Sequence, residues 1–114
     1  MSRLLTACLG LAAELTAAGV PASVERARVN PPGAWISPQS MDVTRLSGGG
    51  IAAVDVILVV GDTGEANALK HLDDLLGKVL GIGLALTEPV DTAYALTLTS
   101  SPLPAFRVPV ELDL

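Results

Sequence analysis

Ten consecutive residues, Ile51 to Val60, read IAAVDVILVV and place apolar side chains on both faces of an extended strand, with Asp55 as the one exception. A strand that is apolar on both faces belongs in the middle of a sheet, covered from both sides, so the rest of the chain is expected to fold around this one. The strand runs through Gly61-Asp62 into an amphipathic segment, EANALKHLDDLLGKVL. Strand-to-helix turns are where α/β enzymes place phosphate loops and nucleophiles. Here the junction reads GDTGEANALK and has neither a Gly-Lys-Ser/Thr nor a Gly-x-Ser-x-Gly pattern.

With 114 residues the chain is expected to form one domain, 1–114, around a single core. Half of the residues are hydrophobic and the mean hydropathy is +0.54, while a domain of this size buries only about two-thirds of its unfolded surface. The surplus, much of it alanine, predicts association with further copies of the chain. Charge is uneven: residues 1–50 carry four basic and three acidic groups, a balance of +1, and residues 51–114 carry three basic and nine acidic groups, a balance of −6. There is no Lys/Arg cluster, and Trp35, Tyr94 and Phe106 are the only aromatic residues. That composition argues against sequence-specific DNA or RNA binding, which needs phosphate-neutralising charge and stacking surfaces. An acidic wall still suits DNA that must slide past without sticking.

Cys8 is the single cysteine, so no intrachain disulfide forms. Leu5-Thr6-Ala7-Cys8 superficially matches a lipobox, but only Leu4 and Leu5 precede it as apolar residues, too few for a signal peptide. A small buried residue on the first helix is the expected role of Cys8. No segment approaches the ~18 uninterrupted apolar residues of a membrane span, so no membrane partner is expected.

Residues 3–18 place Leu4, Leu5, Cys8, Leu11, Leu15 and Ala18 at helical spacing, with Ser2 as N-cap and Gly19 as the stop. The segment 22–30, ASVERARVN, reads as a strand, and Asn30-Pro31-Pro32-Gly33 as a turn. Ala34 to Ile36 is extended, Pro38 interrupts it, and residues 41–46 resume it, which predicts a bulge or an ordered loop at 37–40. Ser47 to Gly50 reads as a hairpin turn into the central strand. Asp62 and Glu65 suggest a capping box for the second helix, whose expected core stripe is Leu69, Leu72, Leu76, Val79 and Leu80, ending at Gly81 and Gly83. Residues 93–99 alternate as a half-buried strand, and residues 105–112 form a last strand in which Pro109 cannot donate to a ladder. That strand is therefore expected at an edge of the sheet, with Phe106, Arg107 and Pro109 offered to a neighbouring subunit.

The residues capable of chemistry are sparse. Asp55 has no nearby His, Ser or second acid in sequence, and a salt bridge to Arg26, Arg28 or Arg45 on a neighbouring strand is the expected role. His71 stands one helical turn from Asp74 without a nucleophile or second ligand, so it reads as a surface or interface residue. No catalytic set, cofactor site or metal site is predicted. The segment from Trp35 to Gly50 joins two strands with more residues than a minimal hairpin needs. Trp35, Gln39, Ser40, Arg45, Gly48 and Gly49 are accordingly expected to build a contact surface.

The order helix, three strands, helix, two strands predicts an α+β fold, a mixed and largely antiparallel sheet of about five strands with both helices on one face. The segments VERARVNPPGAWISP, IAAVDVILVVGD, EANALKHLDDLLGKVL and TAYALTLTSSPLPAFRVPVELDL, in this order, resemble the tail terminator proteins of long-tailed phages, especially phages of actinobacteria. The resemblance spans nearly the whole chain and rests on the order of elements and their wording. It implies a virion protein that forms a six-fold ring, caps the finished tail tube, stops its polymerisation and joins it to head-completion proteins, with genomic DNA passing through the bore. It also implies synthesis in the host cytoplasm and residence at the head–tail junction. A bore for DNA should then be lined by acids drawn from Asp62, Glu65, Asp73, Asp74, Glu88 and Asp91.

Three other readings stay open at this point. Another head–tail joining or tail tube component would show a long tube-forming hairpin or an all-helical plan. A small non-enzymatic α+β ligand-binding or regulatory domain would favour a dimer over a ring. An enzyme would have to bring Asp55, His71 and Asp74 to one pocket.

Overall fold

A six-stranded, mostly antiparallel sheet carries two helices on one face in the computed structural model of the chain, an α+β architecture. The structure describes residues 3–42, 50–61, 64–97 and 102–113. The elements in chain order are α1 (Arg3–Ala17), β1 (Ala22–Ser23), a single 3-10 turn (Arg26–Arg28), β2 (Gly33–Asp42), β3 (Ile51–Val59), α2 (Glu65–Leu80), β4 (Ala85–Leu86), β5 (Asp91–Thr97) and β6 (Pro102–Asp113). Across the sheet the order is β1-β2-β3-β6-β4, and β5 pairs with the same β6. Only β1 and β2 run parallel.

The apolar run at 51–59 does become the sheet's centre, paired along its length with β2 on one side and β6 on the other. Its even-numbered side chains, Ala52, Val54, Val56 and Leu58, face the helices. They meet Ala34 and Ile36 of β2, Phe106, Val108 and Val110 of β6, Cys8, Leu11 and Leu15 of α1, and Leu72, Leu75 and Val79 of α2. Its odd-numbered Ile57 and Val59 enter a smaller cluster on the second face with Val29, Leu96 and Ala105, flanked by Trp35, Tyr94 and Leu103. Among the described residues no helix side chain belongs to this second cluster. The side chains of Trp35 and Tyr94 and the turn ending at Val29 close it instead.

The last strand is not an edge. β6 lies between β3 and the β4 and β5 segments, and runs from Pro102, three residues earlier than the alternation suggests. Its prolines explain how this is tolerated. Val60 N–H donates to the Pro104 carbonyl and Thr87 N–H to the Pro109 carbonyl. Since N–H and C=O of one strand residue point the same way, Pro104 addresses the end of β3. Pro109 addresses the opposite side, between β4 and β5. Neither missing donor interrupts the β3–β6 ladder.

Three further expectations change, and an open alternative in β2 is resolved. The segment 22–30 is no strand beyond Ser23: Ser23 Oγ accepts the Glu25 N–H, and Glu25 grips Arg28 at 2.7 Å, so local bonds wind it into a 3-10 turn. Of the two alternatives at 37–40, the bulge and not the ordered loop is found, between Pro38 and Ser40, and β2 continues through it to Asp42. The N-cap of α2 is Gly64 rather than Asp62, with Glu65 in the first turn; Asp62 itself lies outside the described residues. The buried stripe of α2 is Ala68, Leu72, Leu75 and Val79; Leu69 and Leu80 remain about half exposed. The two-residue β4 has no signal in the sequence, since so short a segment carries no periodicity.

Gly33 opens β2 where the chain crosses itself. A Cβ there would stand 2.8 Å from the Asn30 carbonyl oxygen and 2.9 Å from that of Pro21, both backbone atoms that cannot swing aside. Gly33→Ala is therefore expected to cost about 1–3 kcal/mol of stability by overpacking, read as a lowered midpoint in urea unfolding; an unchanged midpoint would show that this crossing gives way freely.

Candidate functional site

Asp55 is the one buried charged residue among the described residues, 7% exposed on the face of β3 away from the helices. Arg107 Nη1 donates to both carboxylate oxygens, at 3.1 and 3.2 Å, while its Nη2 lies 3.5 Å from Glu88. The register explains the match, because Asp55 stands opposite Pro109 and Ile57 opposite Arg107, which sets acid and base diagonally across one ladder. The partner is thus Arg107, not Arg26 or Arg28, which flank a turn outside that ladder, and Arg45 lies outside the described residues. The hydrogen bond to Asp55, and next its negative charge, raise the pKa of the Arg107 guanidinium above its ordinary value. The cluster ties β3 to β6 and to the segment between β4 and β5.

The other titratable groups do not converge on it. His71 and Asp74 are exposed on α2, on the opposite side of the sheet from Asp55. Among the described residues no group of three or more His, Cys, Asp or Glu side chains stands close enough to hold a metal ion. Cys8 is 1% exposed in the main core, and burial raises its thiol pKa. A thiolate is the reactive form, so Cys8 is expected to resist Ellman's reagent in the folded protein and to react at once in denaturant; fast labelling of the native state would contradict this burial.

A cleft of about 370 Å³ opens between the start of α2 and the β5–β6 pair, lined chiefly by Ala68, Leu69, Leu72, Tyr94, Pro104 and Ala105. Glu65 is the one carboxylate among its described lining residues. One carboxylate on an apolar rim supports binding of an apolar group better than bond-breaking chemistry.

The expected contact residues fall into three groups. Phe106 is 4% exposed in the main core and Pro109 is buried, so neither offers a surface; both follow β6 into the sheet interior. Trp35 and Arg107 are half-buried and engaged within the chain. The Trp35 indole Nε1 donates to the Val24 carbonyl at 3.3 Å, and the Arg26 guanidinium stands 5.9 Å from the ring centre. Gln39 and Ser40 are exposed at the β2 bulge, where Gln39 Nε2 bonds back to Ser37. Arg45, Gly48 and Gly49 lie outside the described residues.

The expected bore acids divide as well. Glu65, Asp73 and Asp74 are exposed on α2, beside Lys70 and Lys78. Glu88 lies between β4 and β5, where it approaches Arg107, and Asp91 opens β5, its Oδ1 accepting the Ala93 N–H.

Surface features absent from the sequence reading are more telling. Leu5 and Leu9 are each 50% exposed on α1, and Leu69 and Leu80 lie half exposed on α2. The described outer residues of α1 carry a single charge, Glu14. The sequence held a signal for the α2 patch, since its apolar stripe is wider than the face one sheet can cover.

Comparison of the chain with protein-family models finds no match, and comparison with curated proteins finds none either.

Removing Arg107 should leave the Asp55 carboxylate buried without a partner, the more costly half-measure. Arg107→Met is expected to lower the unfolding midpoint further than the double variant Asp55→Asn/Arg107→Met. A double variant less stable than the single would show that the pair itself, not the orphaned acid, carries the effect.

Proposed function

We propose that this chain is a non-enzymatic structural protein that assembles with copies of itself into a ring of six. Such a ring would cap a phage tail tube, end its growth and join it to a head-completion protein at the head–tail junction of the virion. The likeness of its segments to tail terminators suggests this role. The observation that supports it is the pair of separate apolar patches, Leu5 and Leu9 on α1 and Leu69 and Leu80 on α2. A closed ring needs two different surfaces on each subunit, and half-exposed leucines on helices are costly to leave in water. The acids exposed on α2 fit a wall past which DNA slides.

Native mass spectrometry with negative-stain imaging tests the reading. Wild-type protein is expected as a six-membered ring. Leu9→Glu damages one patch and Leu69→Glu the other, so each variant alone should be monomeric by this interface, whereas an equimolar mixture should regain one sound contact and form pairs but no rings. A wild-type mass that never exceeds a dimer overturns the ring.

The cleft beside α2 is the single feature that favours a ligand-binding domain instead, since its volume falls in the range of small-molecule sites, about 300–1,000 Å³. Tyr94→Ala would then weaken ligand uptake while leaving the six-membered ring, which rests on the helix patches, intact.

A further inference from the structure

The two long outer edges of the sheet are built unequally. Ala34 N–H donates to the Pro21 carbonyl, so the even-numbered residues at this end of β2, Ile36 and Pro38 among them, direct their backbone groups away from β3. Pro38 therefore removes a donor from the outer edge, and the bulge at Gln39 breaks its spacing directly afterwards. These are the usual devices that keep a strand edge from pairing.

β5 has no such protection along its regular part. It pairs with β6 alone, and the segment 91–97 contains no Pro, Lys or Arg. Ala95 stands opposite Pro104, whose backbone addresses β3, so the N–H and C=O of Ala95 point away from β6, and those of Thr97 do likewise. Ala93, Ala95 and Thr97 are exposed and small. Among the described residues, the Ala93 N–H alone is taken, by Asp91 Oδ1 at 3.0 Å.

We propose that the outer edge of β5 pairs antiparallel with β5 of a second copy across a twofold axis centred on Ala95. In that register each Ala95 N–H meets the other Ala95 carbonyl, and each Thr97 N–H meets the other Ala93 carbonyl. The same register sets Tyr94 of one copy against Leu96 of the other on the second face. The small cluster of Ile57, Val59, Leu96 and Ala105, to which no described helix side chain belongs, then continues across the axis. β2 is a poorer occupant, because its edge lacks the donor at Pro38, and β1 has only two residues. The two Asp91 side chains fall at opposite ends of the paired strands, and with a net charge of −5 on each copy the pairing strengthens as ionic strength rises. This contact uses neither helix patch, so it stands or falls independently of the ring.

Ala95→Pro removes the central donor at an exposed edge position, where proline leaves the β6 ladder intact, and circular dichroism checks its fold. Wild-type protein should show paired species by sedimentation, either dimers or rings joined two by two, and Ala95→Pro should weaken the pairing at least tenfold while leaving any single ring in place. As a second readout, Ala95→Cys should give a disulfide-linked dimer on mild oxidation, since paired Cα atoms stand about 5.5 Å apart, and Thr92→Cys should not. A folded Ala95→Pro with the wild-type distribution overturns the proposal, as does equal cross-linking at positions 92 and 95. A wild-type protein that forms dimers but no ring upholds the pairing and removes the ring.

Discussion

Burial of β3 on both faces is the constraint on which the rest of the structure depends. A strand so apolar cannot stay at a surface, so it draws β2 and β6 to its two sides and both helices onto its even-numbered face. That arrangement uses up the helices. The odd-numbered face receives only single side chains and a short turn, and this shortage explains why Trp35 and Tyr94 stand where they do. An aromatic ring covers more area than any aliphatic side chain, so two of the chain's three aromatic residues substitute for a missing layer.

Asp55 fits the same picture. It lies on the thinly covered face, where a carboxylate is desolvated less than it would be under the helices, and Arg107 reaches it from the adjoining strand. Placed at Val54 or Val56, the same charge would sit in the main core, where no basic side chain is present to receive it.

Periodicity made the fold legible where elements were long. The 3.6-residue repeat of α1 and α2 and the apolar run at 51–60 each yielded an element near its observed bounds, and the break at Pro38 marked a real bulge. Two kinds of information were missing. Local side-chain bonds decided the segment 22–30, where alternation alone suggested a strand but Ser23 and Glu25 wound the chain into a turn. The position of β6 depended on which side each prolyl nitrogen faces, which the sequence does not state, so Pro109 was read as a sign of an edge when it marks only the gap between β4 and β5. The contact residues suffered from this error directly, because Phe106 and Pro109 went into the interior with their strand.

The register between β3 and β6 shows how so uniform a pair of strands finds one alignment. Because side chains alternate with period two, sliding β6 by two residues in either direction would keep every apolar side chain on its proper face, and valines opposite valines distinguish such registers poorly. One slide would set Asp55 opposite Glu111 in place of Pro109 and carry Arg107 out of reach, leaving two acids directly paired with no base beside them. The opposite slide would set Pro104 opposite Leu58, where the ladder calls for a donor to the Leu58 carbonyl and the prolyl nitrogen has none. The observed register alone keeps the prolyl nitrogen beyond the last residue of β3 and the guanidinium on the carboxylate. A single ion pair and a single proline, each unremarkable as a source of stability, together exclude the two nearest competitors that hydrophobic patterning would accept.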